Sequence, residues 1–225
     1  MRLIHWDILE KIKDIESESI DLIVTDPPYK TISWWSKKNF WTWFSNSILS
    51  KNDWKIFDFN DLKIEDYIWE LYRVLKQWTH WYIMTNFLNL EYFMREIRKV
   101  WFDIHTILIW DKWNKVLSWR YMKNIEYIIF IRKWKAKRIN NIWNNHILQH
   151  KNKIWNKFHE TEKPVELMKQ MILNSSNEWD TILDPFMWCW STWIACLETN
   201  RKFIWIEINE KYFNTDYMEK LRFYN

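Results

Sequence analysis

The stretch LDPFMWCWSTWIACLE, Leu183 to Glu198, decides the fold. It reads as a buried strand turning directly into a helix, yet the turn carries Trp188, Trp190 and Trp193. A strand-to-helix turn favours residues that tolerate positive φ and let the backbone approach a ligand, which describes glycine and not tryptophan. The chain has no glycine anywhere, and it has 21 tryptophans in 225 residues. Ordinary usage would supply about sixteen glycines in a chain of this length. The surplus of one residue matches the deficit of the other.

Position agrees with number. Trp78 follows the helical pattern IEDYIWELYRVLKQ, Trp101 follows LEYFMREIRKV, and Trp179 precedes a strand in SSNEWD. All three are places where a helix stop or a turn asks for glycine. Most tryptophans here therefore read as standing where the natural protein has glycine, most simply because a codon read as Trp is read as Gly in the source organism. Trp110, inside the strand pattern HTILIWDK, is compatible with a genuine tryptophan. A truly Trp-rich protein would place these side chains in its core, whereas here they cluster at turns and beside charges.

The rest of the composition is ordinary. With 48% apolar residues and no internal repeat, the chain suits one α/β domain over residues 1–225 with a substantial core. It shows no signal peptide and no apolar run long enough to span a bilayer, and Cys189 and Cys196 are too few for a disulfide framework. A cytoplasmic protein is expected. Net charge is only +4, but Tyr127 to His159 contains no acidic residue and holds Lys135, Lys137, Arg138, Lys151 and Lys153. Such a run suits a phosphate backbone, since bound cations release counterions from a polyanion; alone it is equally a solvated loop.

Strand patterns run over RLIH (2–5), IDLIVT (20–25), HWYIMTNF (80–87), FDIHTILIW (102–110), NIEYIIFIR (124–132), TILD (181–184) and KFIWIEI (202–208). Several are β-branched and nearly all apolar, as strands covered on both faces should be. Helical patterns fall between them at about 7–15, 64–77, 90–100, 164–174, 191–199 and 210–223. That alternation predicts a mostly parallel seven-stranded sheet with helices on both faces. Residues 102–110 and 124–132 lack a long helix between them and predict an antiparallel hairpin at one edge. The Asn- and Lys-rich region at about 133–158 reads as an inserted loop.

Ligands of open α/β sheets bind beyond the carboxyl ends of the strands. One such end is TDPPYK, Thr25 to Lys30. Pro27 and Pro28 fix φ and lack N–H groups, so their carbonyls are held rigid as acceptors; Asp26 adds a carboxylate and Tyr29 a flat π-face. Acceptors beside an aromatic platform suit an exocyclic amino group on a stacked base. The other end is the opening stretch, which reads D-P-F-x-G-x-G-S-T-G once glycine is restored.

With both loops in view, the chain resembles the S-adenosylmethionine-dependent DNA amino-methyltransferases of the adenine-N6 type, over nearly its whole length. The D-P-P-Y loop precedes the F-x-G-x-G loop, as in the circularly permuted β branch, and the resemblance implies a Rossmann-like methyltransferase fold. It implies catalytic roles for Asp26, Pro27, Pro28 and Tyr29, and cofactor contacts by Asp184, Pro185, Phe186, Trp188, Trp190, Ser191 and Thr192. Glu207 takes the place of the family's ribose-binding acid, and Asp7 of the acid near the cofactor adenine. HETEKP (159–164) resembles the H-P-T-Q-K-P segment, which places Thr161 and Lys163 at the methionine end; Glu160 departs from the usual proline. The basic insertion becomes the expected target-recognition segment on double-stranded DNA. A companion restriction endonuclease is left open.

Adenine is favoured over cytosine-N4 because a serine more often opens the P-P-Y loop in the cytosine enzymes. A non-catalytic DNA-binding relative is the remaining alternative, and gains weight only if the tryptophans are genuine. A metal is not expected: His146 and His150 lack a zinc hydrolase's glutamate, and Cys189 and Cys196 lack partner ligands. As printed, indoles at 188 and 190 should obstruct the cofactor, and each would be strained if forced into a glycine conformation.

Overall fold

A computed structural model of the chain describes residues 2–5, 8–28, 62–116, 121, 123–152, 162–186 and 190–207. The elements are β1 (Arg2–His5), α1 (Ile8–Lys11), β2 (Ile20–Thr25), α2 (Ile64–Val74), β3 (Leu75–Thr85), α3 (Phe87–Lys99), β4 (Phe102–Val116), β5 (Lys123–Lys133), β6 (Ile147–Gln149), α4 (Val165–Ser175), β7 (Thr181–Asp184), α5 (Ser191–Glu198) and β8 (Lys202–Glu207). The helix expected at 210–223 lies outside the described residues.

Local sequence accounts for most boundaries. In α2 the buried residues Ile64, Tyr67, Ile68, Leu71 and Val74 recur at helical spacing, and the Lys63 N–H donates to the Asp66 carboxylate at the first turn. In α3 the Asn86 side chain accepts from the Asn89 N–H, so the helix opens three residues earlier than at Leu90. Leu75, Lys76 and Gln77, expected to continue α2, open β3 instead. The sheet captures them because Ile20 of β2 pairs with Leu75.

All eight described strands form one sheet in the order β1-β8-β7-β2-β3-β5-β4-β6. The run from β1 to β3 is parallel, and β5 is antiparallel to both β3 and β4. The seven expected strands are present, but the hairpin is not the edge. The insertion read as a loop supplies an eighth strand, β6, which pairs parallel with β4 through Ile109 and Ile147 and caps it. Three residues of pairing carry little period-2 signal, which is why β6 was not legible.

Side chains alternate between two cores, one on each face. Ile23, Trp81, Ile83, Ile129 and Ile131 pack under α2 and α3, while Leu22, Val24, Tyr82, Met84 and Ile128 pack under α4 and α5. Each fully buried aliphatic side chain contributes about 1.5–3 kcal/mol. Burial on both faces explains why Leu22, Ile23 and Val24 of β2 are consecutive apolar residues.

The backbone separates the tryptophans. Among the described residues seven have positive φ, and five are tryptophan: Trp78 (69°), Trp101 (49°), Trp113 (59°), Trp134 (60°) and Trp179 (70°). The left-handed region is costly for a bulky residue and free for glycine. Trp78, Trp101 and Trp179 are the three singled out from sequence. Trp81 and Trp205 are fully buried with indole N–H groups that find no acceptor among the described residues. Trp110 is also buried, but its indole donates to the His150 carbonyl at 2.7 Å, as a native tryptophan's should.

Candidate active site

The adjacent strands β2 and β7 end side by side, and each ends on a carboxylate. Asp26 follows β2 and leads into Pro27 and Pro28, both buried; Tyr29 lies outside the described residues. Asp184 closes β7, almost completely buried. Its carboxylate accepts from the Thr192 hydroxyl at 2.7 Å and from the Phe186 N–H at 3.3 Å. Burial pushes its pKa up to about 7, against those two hydrogen bonds, with the charge of Asp26 adding to the rise.

Lys163 ties the two ends together. It lies one residue before Pro164, the N-cap of α4, and donates its buried ammonium to Asp26 Oδ2 at 2.5 Å. Its carbonyl accepts from Ser191 Oγ at 2.6 Å, which joins the start of α5 to the same loop. Expected at the cofactor's methionine end, Lys163 is engaged with the D-P-P loop.

Beyond Lys163 stands a residue that the motif reading did not include. Glu126 of β5 lies 3.6 Å from the Lys163 ammonium and also pairs with Lys112 of β4. Burial alone would raise its pKa, but Lys163 and Lys112 outweigh that and hold it below the usual carboxylate range. Lys112–Glu126–Lys163–Asp26 is thus a chain of alternating charge across two strands and two loops. The signal was present: Glu126 is the one acid in the apolar strand NIEYIIFIR.

Phe186 packs edge-on against Tyr67 of α2 with ring centroids 4.8 Å apart, and Pro185 is buried beside it. Trp190 has φ −70° and ψ 1°, which any residue can adopt. The strain expected at Trp190 is therefore absent. Its indole lies 4.7 Å from that of Trp205 in β8 and 5.5 Å from that of Trp193 in α5, so three indoles wedge between helix and strand. Glycine there would serve closeness, of α5 to β8 and of backbone to ligand. Trp188, Asp7 and Thr161 lie outside the described residues, as does the side chain of Glu207, whose backbone ends β8 beside β7.

The basic run divides in two. Lys135, Lys137 and Arg138 follow β5 at the amino ends of the parallel strands, where the Lys137 N–H donates to the Trp78 carbonyl. Lys151 follows β6 at the carboxyl ends, where the Asn152 N–H donates to the Lys112 carbonyl. Lys153 lies outside the described residues. The basic run expected from sequence is thus divided between the two ends of the sheet, the chain passing from one to the other between Arg138 and Lys151. No group of three His, Cys, Asp or Glu suited to a metal occurs among the described residues. His150 instead bonds the Gln170 side chain at 2.6 Å.

A family model described as DNA methylase, of the N6/N4 type, matches residues 20–219. The chain belongs to that family. The DNA adenine methyltransferase YhdJ of Escherichia coli K12 is 29% identical, over 93% of this chain and 79% of its own length. The Type II methyltransferase M.HpaI of Haemophilus parainfluenzae is 29% identical, over 94% of this chain and 71% of its own. The crystal structure of the M1.HpyAVI–SAM complex has a TM-score of 0.70 at 24% identity, covering 97% of this chain and 98% of that one. The cytosine-N4-specific PvuII DNA methyltransferase has a TM-score of 0.71 at 18% identity, covering 93% and 82%. At those identities the structural likeness establishes the Rossmann-like fold alone.

The cofactor of this DNA methylase family member is S-adenosylmethionine, and the frame fits it. Adjacent strands end in Asp184 and Glu207, and the Asp184 carboxylate is held by the Thr192 hydroxyl and the Phe186 N–H. The indoles at 190, 193 and 205 are what glycine would remove.

Proposed function

We propose that this chain transfers a methyl group from S-adenosylmethionine to adenine N6 of a base flipped out of double-stranded DNA. The observation that carries the reading is the juxtaposition of the D-P-P loop with the cofactor loop: Asp26 and Asp184 close neighbouring strands, and Lys163 bonds both loops. S-adenosylmethionine supplies a methyl group on a sulfonium, already strongly electrophilic. The protein's own task is to place the nitrogen in line and exclude water.

Asp26 and the Pro27 carbonyl are the acceptors for the two N6 hydrogens, drawing electron density toward a lone pair otherwise spread into the ring. N6 sheds a proton as it gains carbon, and Asp26 is the acceptor aligned with one N6–H. Lys163 fixes where that carboxylate points, and Glu126 fixes Lys163. Tyr29 is the stacking platform, offsetting an unstacking cost of a few kcal/mol. Asp7, Thr161, Ser191, Thr192 and Glu207 are assigned to the cofactor side, and Lys151 and Lys153 to the DNA backbone. The Type II names of several relatives support a place beside a restriction endonuclease of the same recognition site.

Cytosine-N4 transfer shares this fold, as the PvuII likeness illustrates. Asp26 and the adenine-specific relative favour adenine. Nucleosides from DNA treated with the glycine-bearing protein, separated by mass spectrometry, should contain N6-methyladenine; N4-methylcytosine alone would overturn the reading.

A further inference from the structure

The amino ends of the parallel strands hold a second concavity, remote from Asp26. A cavity of about 400 Å³ lies between β3, β4, β5, α4 and the residues leading into β6. That is within the roughly 300–1,000 Å³ typical of small-molecule sites. Two aromatic rings line it: Tyr82 and Phe130 stack on each other with centroids 4.7 Å apart and planes 22° from parallel. Its rim carries Lys137, Arg138 and Arg132, the last already paired with Asp103, and no acidic residue lines it.

One polar group inside is built and unused. His80 is 1% exposed and lines the cavity, and its Nδ1 has no partner among the described residues. Burial drives its pKa down to about 4, against a hydrogen bond to the Lys137 backbone and helped by the charges of Lys137 and Arg132. The ring is therefore neutral at pH 7. A neutral imidazole has one N–H and one acceptor nitrogen, and its buried Nδ1 is left for a ligand to satisfy. A buried polar nitrogen left without a partner is costly, and a ligand hydroxyl would relieve that cost.

Anionic group, flat ring and hydroxyl together describe one chemical class. We propose that this cavity binds a nucleoside monophosphate, its phosphate on Lys137 and Arg138, its base against the Tyr82–Phe130 pair, and a sugar hydroxyl on His80. The site is separate from both the cofactor and the base undergoing methylation.

Isothermal titration tests it with adenosine 5′-monophosphate as probe. The full chain, carrying glycine at its turn tryptophans, is first saturated with S-adenosylhomocysteine so that the cofactor site is filled. The nucleotide should bind once per chain, and Lys137→Gln with Arg138→Gln should weaken it about tenfold or more. Ala136→Phe, which fills the cavity from its rim, should abolish binding while thermal unfolding stays unchanged. Equal binding of adenosine would show that the cations read nothing, and equal binding of inorganic phosphate would show that the rings read nothing; either overturns the proposal. Binding untouched by the rim variants would place the nucleotide in the catalytic base pocket and overturn it as well.

Discussion

At the carboxyl ends of the parallel strands, Asp26 and Asp184 face lysine and a threonine hydroxyl; at the amino ends, His80 faces Lys137 and Arg132 with no acid lining the cavity. Missing glycine has different consequences at the two ends. Trp78, Trp101, Trp134 and Trp179 all stand at the amino end, where chain leaves a helix or strand with positive φ. Trp190 stands at the carboxyl end with an unstrained backbone and an indole in the way. Trp113, beside Lys112 at the carboxyl end, also has a positive φ of 59°, so glycine is required for conformation at both ends and for room around Trp190 alone. A single substitution type therefore separates stability from binding.

The largest expected effect follows from that separation. Each bulky residue in the left-handed region costs about 1–3 kcal/mol, so the four amino-end sites sum to about 4–12 kcal/mol. That rivals a domain's whole stability of about 5–15 kcal/mol. Returning these four to glycine should raise the denaturant midpoint steeply with little change in cofactor affinity per folded molecule. Trp188→Gly with Trp190→Gly should do the reverse, restoring S-adenosylmethionine binding in a calorimeter. Tight cofactor binding by the chain as printed would break the comparison and the glycine reading with it. In the gene, positions 78, 101, 179, 188 and 190 should share one codon type that is normally a stop.

Next in size is the chemistry itself. Asp26→Ala removes an acceptor aligned on the reacting nitrogen and should lower methyl transfer roughly 10²–10⁴-fold, leaving cofactor binding intact. Glu126→Gln should lower kcat more than KM by loosening Lys163. A change confined to KM would make Glu126 merely structural.

The two ends should also respond to acid with opposite sign. Asp184 has a folded pKa raised from 3.8 to about 7, so its contribution to stability is full below pH about 4 and is lost as pH rises toward 7. His80 has a folded pKa lowered from 6.5 to about 4, so its contribution is full above pH about 6.5 and is lost as pH falls toward 4. Each spans about 3–4 kcal/mol at most. Urea unfolding at several pH values between 4 and 6.5 should show Asp184→Asn steeper than the parent on acidification. His80→Asn should shift the slope the other way. Parallel curves for both variants would mean that neither group is buried as described.

How much of this the sequence disclosed depends on the range of the interaction that sets each feature. Apolar runs such as IDLIVT and TILD fix their strands locally, and the D-P-P and D-P-F segments end those strands, so fold and catalytic end were both legible. The break at Leu75 was not, because a helical pattern ran on and only pairing with Ile20 overrode it. Glu126 was visible as a lone acid in an apolar strand, yet its role depends on Lys163, which lies 37 positions further along the chain. The basic run misled for a related reason. Charge composition places residues along the chain, and between Arg138 and Lys151 that chain passes from one end of the sheet to the other.

The smallest expected effect is the salt dependence of DNA binding, and it sharpens the comparison most directly. Every cation that contacts a phosphate releases counterions, so neutralising one lowers the slope of log affinity against log salt by roughly one unit. From sequence, Lys135, Lys137, Arg138, Lys151 and Lys153 were equal candidates. The structure sends Lys135, Lys137 and Arg138 to the end remote from Asp26, and Lys151 to the end that holds it. A duplex delivering a flipped base to Asp26 meets Lys151 first. Lys151→Gln with Lys153→Gln should therefore lower the slope by up to about two units, and Lys135→Gln with Lys137→Gln by much less. Filter binding across 50–200 mM salt would measure both. If the second pair carries the larger loss, the duplex wraps toward the amino ends, and the division of labour between the two ends of the sheet fails.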